Sequence, residues 1–213
     1  MRAPNRVKAP RRLLPTRSVA VLLLCGAQLG AAWAWSIEVS PAPRRVFLHV
    51  GNGSAWANNP SINLVQVSVS AAQLLSGAAL PMTGNSTQAT SLLDNWLTCP
   101  TPASQVLIGA SYRRSNRGDG PASATLSVNS PAYLSTPGGD TIPFSQISWT
   151  VAAPGSPRPD VIRAGTFSGA SQTLATVPAN RYIENCHSFF FANSALRAAG
   201  TYGGRVTYTL SSP

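Results

Sequence analysis

A chain of 213 residues with 44% hydrophobic and only 10% charged side chains has ample material for a core and little for acid–base chemistry. Its formal net charge of +10 arises mostly at one end, where residues 1–17 carry Arg2, Arg6, Lys8, Arg11, Arg12 and Arg17 and no acid. Beyond residue 34 stand ten arginines against six acids, hence +4, as singles or as the pairs Arg44-Arg45 and Arg113-Arg114. That scatter is not the one-sided cluster that a nucleic-acid footprint requires, so no nucleic-acid partner is expected.

The basic start runs into an apolar stretch, Val19–Leu24, and then into Ala32-Trp33-Ala34, with small residues at the two positions a signal peptidase reads. These features predict a secretory signal peptide over 1–34, cut after Ala34, and a single domain over 35–213. No later stretch approaches ~20 apolar residues, so no membrane span is expected after cleavage.

Short apolar runs between turn residues predict an all-β domain. Arg45–Val50 reads as a strand closed by Gly51-Asn52-Gly53. Ile62–Ser70 follows, with Val65, Val67 and Val69 alternating, and a short helix is expected around Ser91–Leu97. Gln105–Tyr112 and Ala124–Val128 alternate cleanly on either side of the polar loop Arg113–Pro121. Within Thr141–Val151 the apolar parity changes after Phe144, which predicts a bulge or bend between two strand segments. Val161–Phe167, Gln172–Val177 and Cys186–Ala192 are further strands, and Phe189-Phe190-Phe191 requires the last to be covered on both faces. Residues 200–213 read as a closing strand, with Tyr202, Val206, Tyr208 and Leu210 on one face and Thr201, Arg205, Thr207, Thr209 and Ser211 on the other. Strands at this spacing describe a sandwich or barrel.

Motifs for chemistry are sparse. The sequence contains no Gly-x-Ser-x-Gly, no phosphate-binding Gly-Lys-Ser/Thr loop and no His-x-x-x-His spacing. His49 and His187 are the two histidines, and His187 beside Cys186 reads as a packed or solvent-facing strand residue. No enzymatic activity, cofactor or metal is expected. Cys99 and Cys186 remain after the leader, an even pair that an oxidising compartment would join as a disulfide. Arg117-Gly118-Asp119 matches an integrin-recognition tripeptide, and Asn52-Gly53-Ser54 and Asn85-Ser86-Thr87 match glycosylation sequons. Trp56, Trp96 and Trp149 are either core residues or, if exposed, platforms on which sugar rings could stack.

The closing strand resembles that of chaperone–usher pilus subunits. Gly200 stands fourteen residues from the end, and Leu210, Tyr208 and Val206 stand at the fourth, sixth and eighth positions from it. Ser212 occupies the next-to-last place, where that family carries an aromatic. The related spore-coat-U-like secreted subunits end in a similar Gly-Thr-Tyr strand. The resemblance implies an immunoglobulin-like β-sandwich lacking its final strand and completed by a donated one. It implies a periplasmic chaperone and neighbouring subunits as partners, and a route through the periplasm to the cell surface or beyond. In those terms Gly200, Tyr202, Val206, Tyr208 and Leu210 would border the partner strand, and Ile37 and Val39 would be the plug residues of an N-terminal donor segment. The expected role is a non-enzymatic subunit of a fimbria, pilus or coat active in cell adhesion. The alternative is a self-contained secreted sandwich that binds a host or surface glycan.

Overall fold

The computed structural model describes residues 37–55, 62–115, 120–151 and 161–213. The signal peptide, Trp56, Arg117-Gly118-Asp119 and residues 153–159 lie outside them. In chain order the elements are β1 (Ile37–Glu38), β2 (Arg45–Val50), β3 (Gly53–Ala55), β4 (Val65–Gln66), α1 (Ala71–Ser76), β5 (Leu80–Pro81), β6 (Thr83–Gly84) and β7 (Val106–Arg113). Then come β8 (Ser123–Asn129), β9 (Tyr133–Ser135), β10 (Thr141–Pro143), β11 (Ile147–Val151), β12 (Gly165–Thr166), β13 (Ser171–Pro178), β14 (Arg181–Phe191) and β15 (Thr207–Ser211).

Two antiparallel sheets make an all-β, sandwich-like fold, with no closed barrel among the described residues. The larger runs β12-β11-β14-β7-β2-β3, with β1 and β5 also paired to β14. The smaller runs β13-β8-β15. Two hairpin-sized ladders, β9–β10 and β4–β6, lie outside both.

Period-two alternation explains why these strands stack. The inward parity of β7 presents Val106, Ile108, Ala110 and Tyr112. Ala124, Leu126 and Val128 of β8 belong to the same core cluster, as do Ile183, Phe189 and Phe191 of β14. In β13 a register shift between Thr173 and Ala175 lets Leu174 and Ala175 both turn inward, the behaviour of a β-bulge.

The bend expected within Thr141–Val151 is a 3-10 turn, Phe144–Gln146, between β10 and β11. Phe144 points into the core there and meets Phe167 edge-on at 5.2 Å.

Three expectations are corrected. Ile62–Ser70 is extended only at Val65–Gln66, because its apolar residues Ile62, Leu64 and Val69 are exposed and gain nothing from a ladder. Ser91–Leu97 is not a helix: Thr90 pairs with Leu97 as an isolated bridge, and the Ser91 N–H donates to the Trp96 carbonyl at 2.8 Å. The α-helix is Ala71–Ser76, opened by a capping box between Ser70 and Gln73 and closed by Gly77 at φ 63°. Val161–Phe167 shrinks to Gly165–Thr166, with the Asn185 side chain accepting the N–H groups of Val161 and Ile162 in place of a strand.

Side-chain amides also stitch three loops together. Asn52 N–H donates to Asn63 Oδ1 at 2.8 Å, and Leu64 N–H donates to Asn85 Oδ1 at 2.8 Å. Asn52 Nδ2 donates to the Asn85 carbonyl, while Asn52 Oδ1 accepts from the Thr87 N–H. Gly51 turns here at φ 58°, and a Cβ on it would stand 2.0 Å from Asn63 Oδ1. Only glycine meets both demands.

Cys99 and Cys186 form a disulfide with Cα atoms 5.4 Å apart, across 87 residues of sequence. Together with Leu107 they make a small buried cluster on the outer face of the larger sheet. The Cys99→Ser/Cys186→Ser double variant should lose about 4 kcal/mol of stability, the closure entropy of a loop this long, read from urea midpoints against the oxidised parent.

Candidate functional site

β15 pairs antiparallel with β8, from Thr207 opposite Asn129 to Ser211 opposite Thr125. Along its other edge it pairs with no strand among the described residues, and β2 of the larger sheet lies close by. The alternation read from the sequence holds along it: Leu210 is buried, Tyr202, Val206 and Tyr208 pack partly buried against the core, and Arg205, Thr207, Thr209 and Ser211 are exposed. Across the core stand Val46, Leu48 and Val50 of β2, also only partly buried. The side of the sandwich along β15 and β2 therefore combines an open backbone edge with apolar side chains that are incompletely covered. Burial raises the Tyr208 phenol above the ordinary tyrosine range.

The strand is shorter than residues 200–213. Gly203 instead exchanges two main-chain bonds with Ser135, each 3.0 Å, and Gly204 sits where a Cβ would lie 2.8 Å from the Phe144 ring. Gly200 is exposed and lies outside the strand, with Thr136 Cγ2 at 3.1 Å from where its Cβ would be. The segment beyond the strand is held by Arg44, which donates to Ser212 Oγ at 2.7 and 3.2 Å, to the Ser212 carbonyl at 3.0 Å and to the Pro213 main-chain oxygen.

Ile37 and Val39 lie on the larger sheet. Ile37 pairs with Tyr182 of β14, and Val39 N–H donates to the Asn180 carbonyl at 3.0 Å. The ladder of β1 is only two residues long.

Folding gathers arginines that the sequence scatters. Arg45 stands directly opposite Arg113, and Arg181 stands opposite Tyr112 on the next strand. With Arg44 and Arg114 this places five arginines at one end of three neighbouring strands, where Glu38 faces Arg181. Reading pairs along the chain misses this because the convergence depends on strand register.

The outer face of the larger sheet holds a second group of polar residues. In register, His49, Gly109 and Glu184 lie side by side on β2, β7 and β14. A Cβ at Gly109 would stand 2.3 Å from the Tyr182 hydroxyl, so the glycine makes room for that phenol. Tyr182 donates to Glu184 Oε2 at 2.8 Å and Thr98 donates to Oε1 at 3.1 Å. The acid is thus set among hydroxyls in a buried layer under the disulfide loop. Among the described residues no group of three or more His, Cys, Asp or Glu is arranged to hold a metal ion.

His187 lies on the opposite, inward face, stacked 6.4 Å from Trp149 and tilted against Phe189 at 6.3 Å. Neither ring nitrogen of His49 or of His187 has a hydrogen-bond partner. Burial lowers His49 to about 4, opposed in part by the Gly53 main chain. Burial alone lowers His187 to about 3. Trp149 is a core residue at 4% exposure, its Nε1 donating to the Arg163 carbonyl, whereas Trp96 is 45% exposed. Trp96 shares its loop with the exposed Leu92, Leu93 and Leu97.

No protein-family model, characterised protein or solved structure matches the chain. No helix among the described residues is long and apolar enough to cross a membrane.

Both histidines favour the neutral form when folded, so their stabilising effect is complete above pH 6.5 and is lost as pH falls from there toward 4. Each should cost roughly 3 kcal/mol by pH 4. Replacing His187 with Leu should flatten the acid limb of a stability–pH curve by that amount relative to the parent. Parallel curves for the two proteins would contradict the assignment.

Proposed function

We propose that the chain is an exported, non-enzymatic structural subunit of a bacterial surface fibre or coat, assembled by strand addition along the free edge of β15. The observation that carries this reading is the pairing of a backbone edge left open among the described residues with the partly covered side chains of Tyr208, on β15, and of Val206 just before it, beside the buried Leu210. Main-chain bonds to an added strand would supply affinity, and its alternate side chains, entering between β15 and β2, would supply register. An unfilled edge of this kind is an aggregation hazard, which a periplasmic chaperone would cover during transit.

The segment bearing Ile37 and Val39 suits a donor. It alternates apolar and polar residues, and its two-residue ladder gives up few bonds on release. The immunoglobulin-like topology and the missing strand belong to this reading. So do the signal peptide and the passage from periplasm to surface.

A second reading has one observation in its favour. Trp96, 45% exposed in a loop tied down by Cys99, presents an indole on which a sugar ring could stack. A self-contained glycan-binding sandwich would stay monomeric when expressed alone and would lose glycan affinity on Trp96→Ala.

Strand addition makes a different demand. Val206→Asp and Tyr208→Arg should each reduce capture of a chaperone or donor strand by roughly 100-fold, because each places an unpaired charge in the gap to be filled. Thr209→Arg, on the solvent face, should leave capture unchanged. Normal accumulation of the Tyr208→Arg protein as a partner-free monomer would sink the proposal.

A further inference from the structure

The β15 segment is clamped at both ends. Gly203 is bonded twice to Ser135 at one end, and Arg44 grips Ser212 and Pro213 at the other. The two clamps differ in kind. The first joins main chain to main chain. The second is a single side chain that leaves the start of β2, on the larger sheet, and closes on the end of β15, on the smaller one.

Arg44 therefore ties the two sheets together at one end of the line along which β2 and β15 approach each other. The guanidinium suits this task, since its planar fork of donors engages a hydroxyl and two main-chain oxygens at once. Its neighbours add to the effect. Arg45, Arg113 and Arg114 lie at the same end of the sheet, and like charge on the β2 side favours an outward course for the Arg44 side chain. All of the contacts are solvent-exposed, so they break at modest cost.

We propose that Arg44 is a latch that holds the β2–β15 gap closed in the isolated subunit and must release Ser212 before a strand can enter. This rests on the reading of β15 as the strand-accepting edge. Ser212, where the pilus pattern carries an aromatic, then has a definite use: its hydroxyl and carbonyl are the catch. An added strand that inserts side chains between the sheets widens the gap from the β15 edge. The latch resists that widening without contributing to the final ladder.

The test uses the full chain and two readouts. Hydrogen exchange of residues 205–212 reports on the latch itself, with β14 as internal control. Uptake of a labelled peptide copying residues 35–42 reports on strand entry. In Arg44→Ala, the 205–212 amides should exchange about tenfold faster while β14 is unchanged, and peptide uptake should quicken by about the same factor. Arg44→Lys, which keeps the charge but not the fork, should fall between the two. Unchanged exchange in Arg44→Ala overturns the latch whatever the peptide does. Faster exchange with equal uptake by both proteins overturns its gating role while leaving the β15 reading intact. Uptake by neither protein overturns that reading, and the gate with it.

Discussion

The sandwich depends on β14 more than on any other element. Its first half, Arg181–Cys186, pairs with β7, and its second half, His187–Phe191, pairs with β11 on the opposite side. A strand that changes partners midway cannot be covered by one neighbour, so each face must find its own layer. Inward, Ile183, Phe189 and Phe191 meet the smaller sheet's core. Outward, Tyr182, Glu184 and Cys186 need a separate cover, and the disulfide loop with Thr98 supplies it. The handover falls between Cys186 and His187, so the covalent tie and a buried imidazole sit at the same joint.

This requirement explains the asymmetry of the fold. Covering β14 on two faces and along two sides draws β1, β5, β7 and β11 into the larger sheet. Among the described residues the smaller sheet has three strands, and β15 is unpaired along its outer edge. Val46, Leu48, Val50, Val206 and Tyr208 are consequently only partly buried, not through a shortage of hydrophobic residues but because the chain has spent its strands elsewhere. Such an edge is where backbone bonding capacity and apolar surface coincide, the two quantities that strand addition requires.

How much of this was legible in the sequence follows from what each signal measures. Strong alternation between turn residues located β2, β7, β8 and β13 within one or two residues, because burial on one face is a local property of the pattern. The parity change after Phe144 located the bend for the same reason. The first half of β14 was missed because Glu184 and Asn185 are polar, and their burial depends on Thr98 and residues 161–162, far away in sequence. The helix at Ala71–Ser76 left a readable mark in the Ser70–Gln73 box, overshadowed by the apolar alternation beside it. Of the candidate edge, the inward face of Tyr208 and Leu210 was readable from period two alone. The grip of Arg44 on Ser212 was not, since nothing local relates residues 168 apart.

The amide knot of Asn52, Asn63 and Asn85 sets a chemical lifetime as well as a shape. Asn52 precedes Gly53, and an Asn–Gly bond is the one at which the following main-chain nitrogen most readily attacks the side-chain amide, releasing ammonia and leaving a succinimide that water opens to aspartate or isoaspartate. The conversion would be selective in what it removes. An aspartate at 52 keeps its acceptor for Thr87 and gains charge there, but it has no donor for the Asn85 carbonyl. The loops would part on one side only, beside an otherwise intact core. A protein that outlives its synthesis by long periods would carry in this turn a record of its own age.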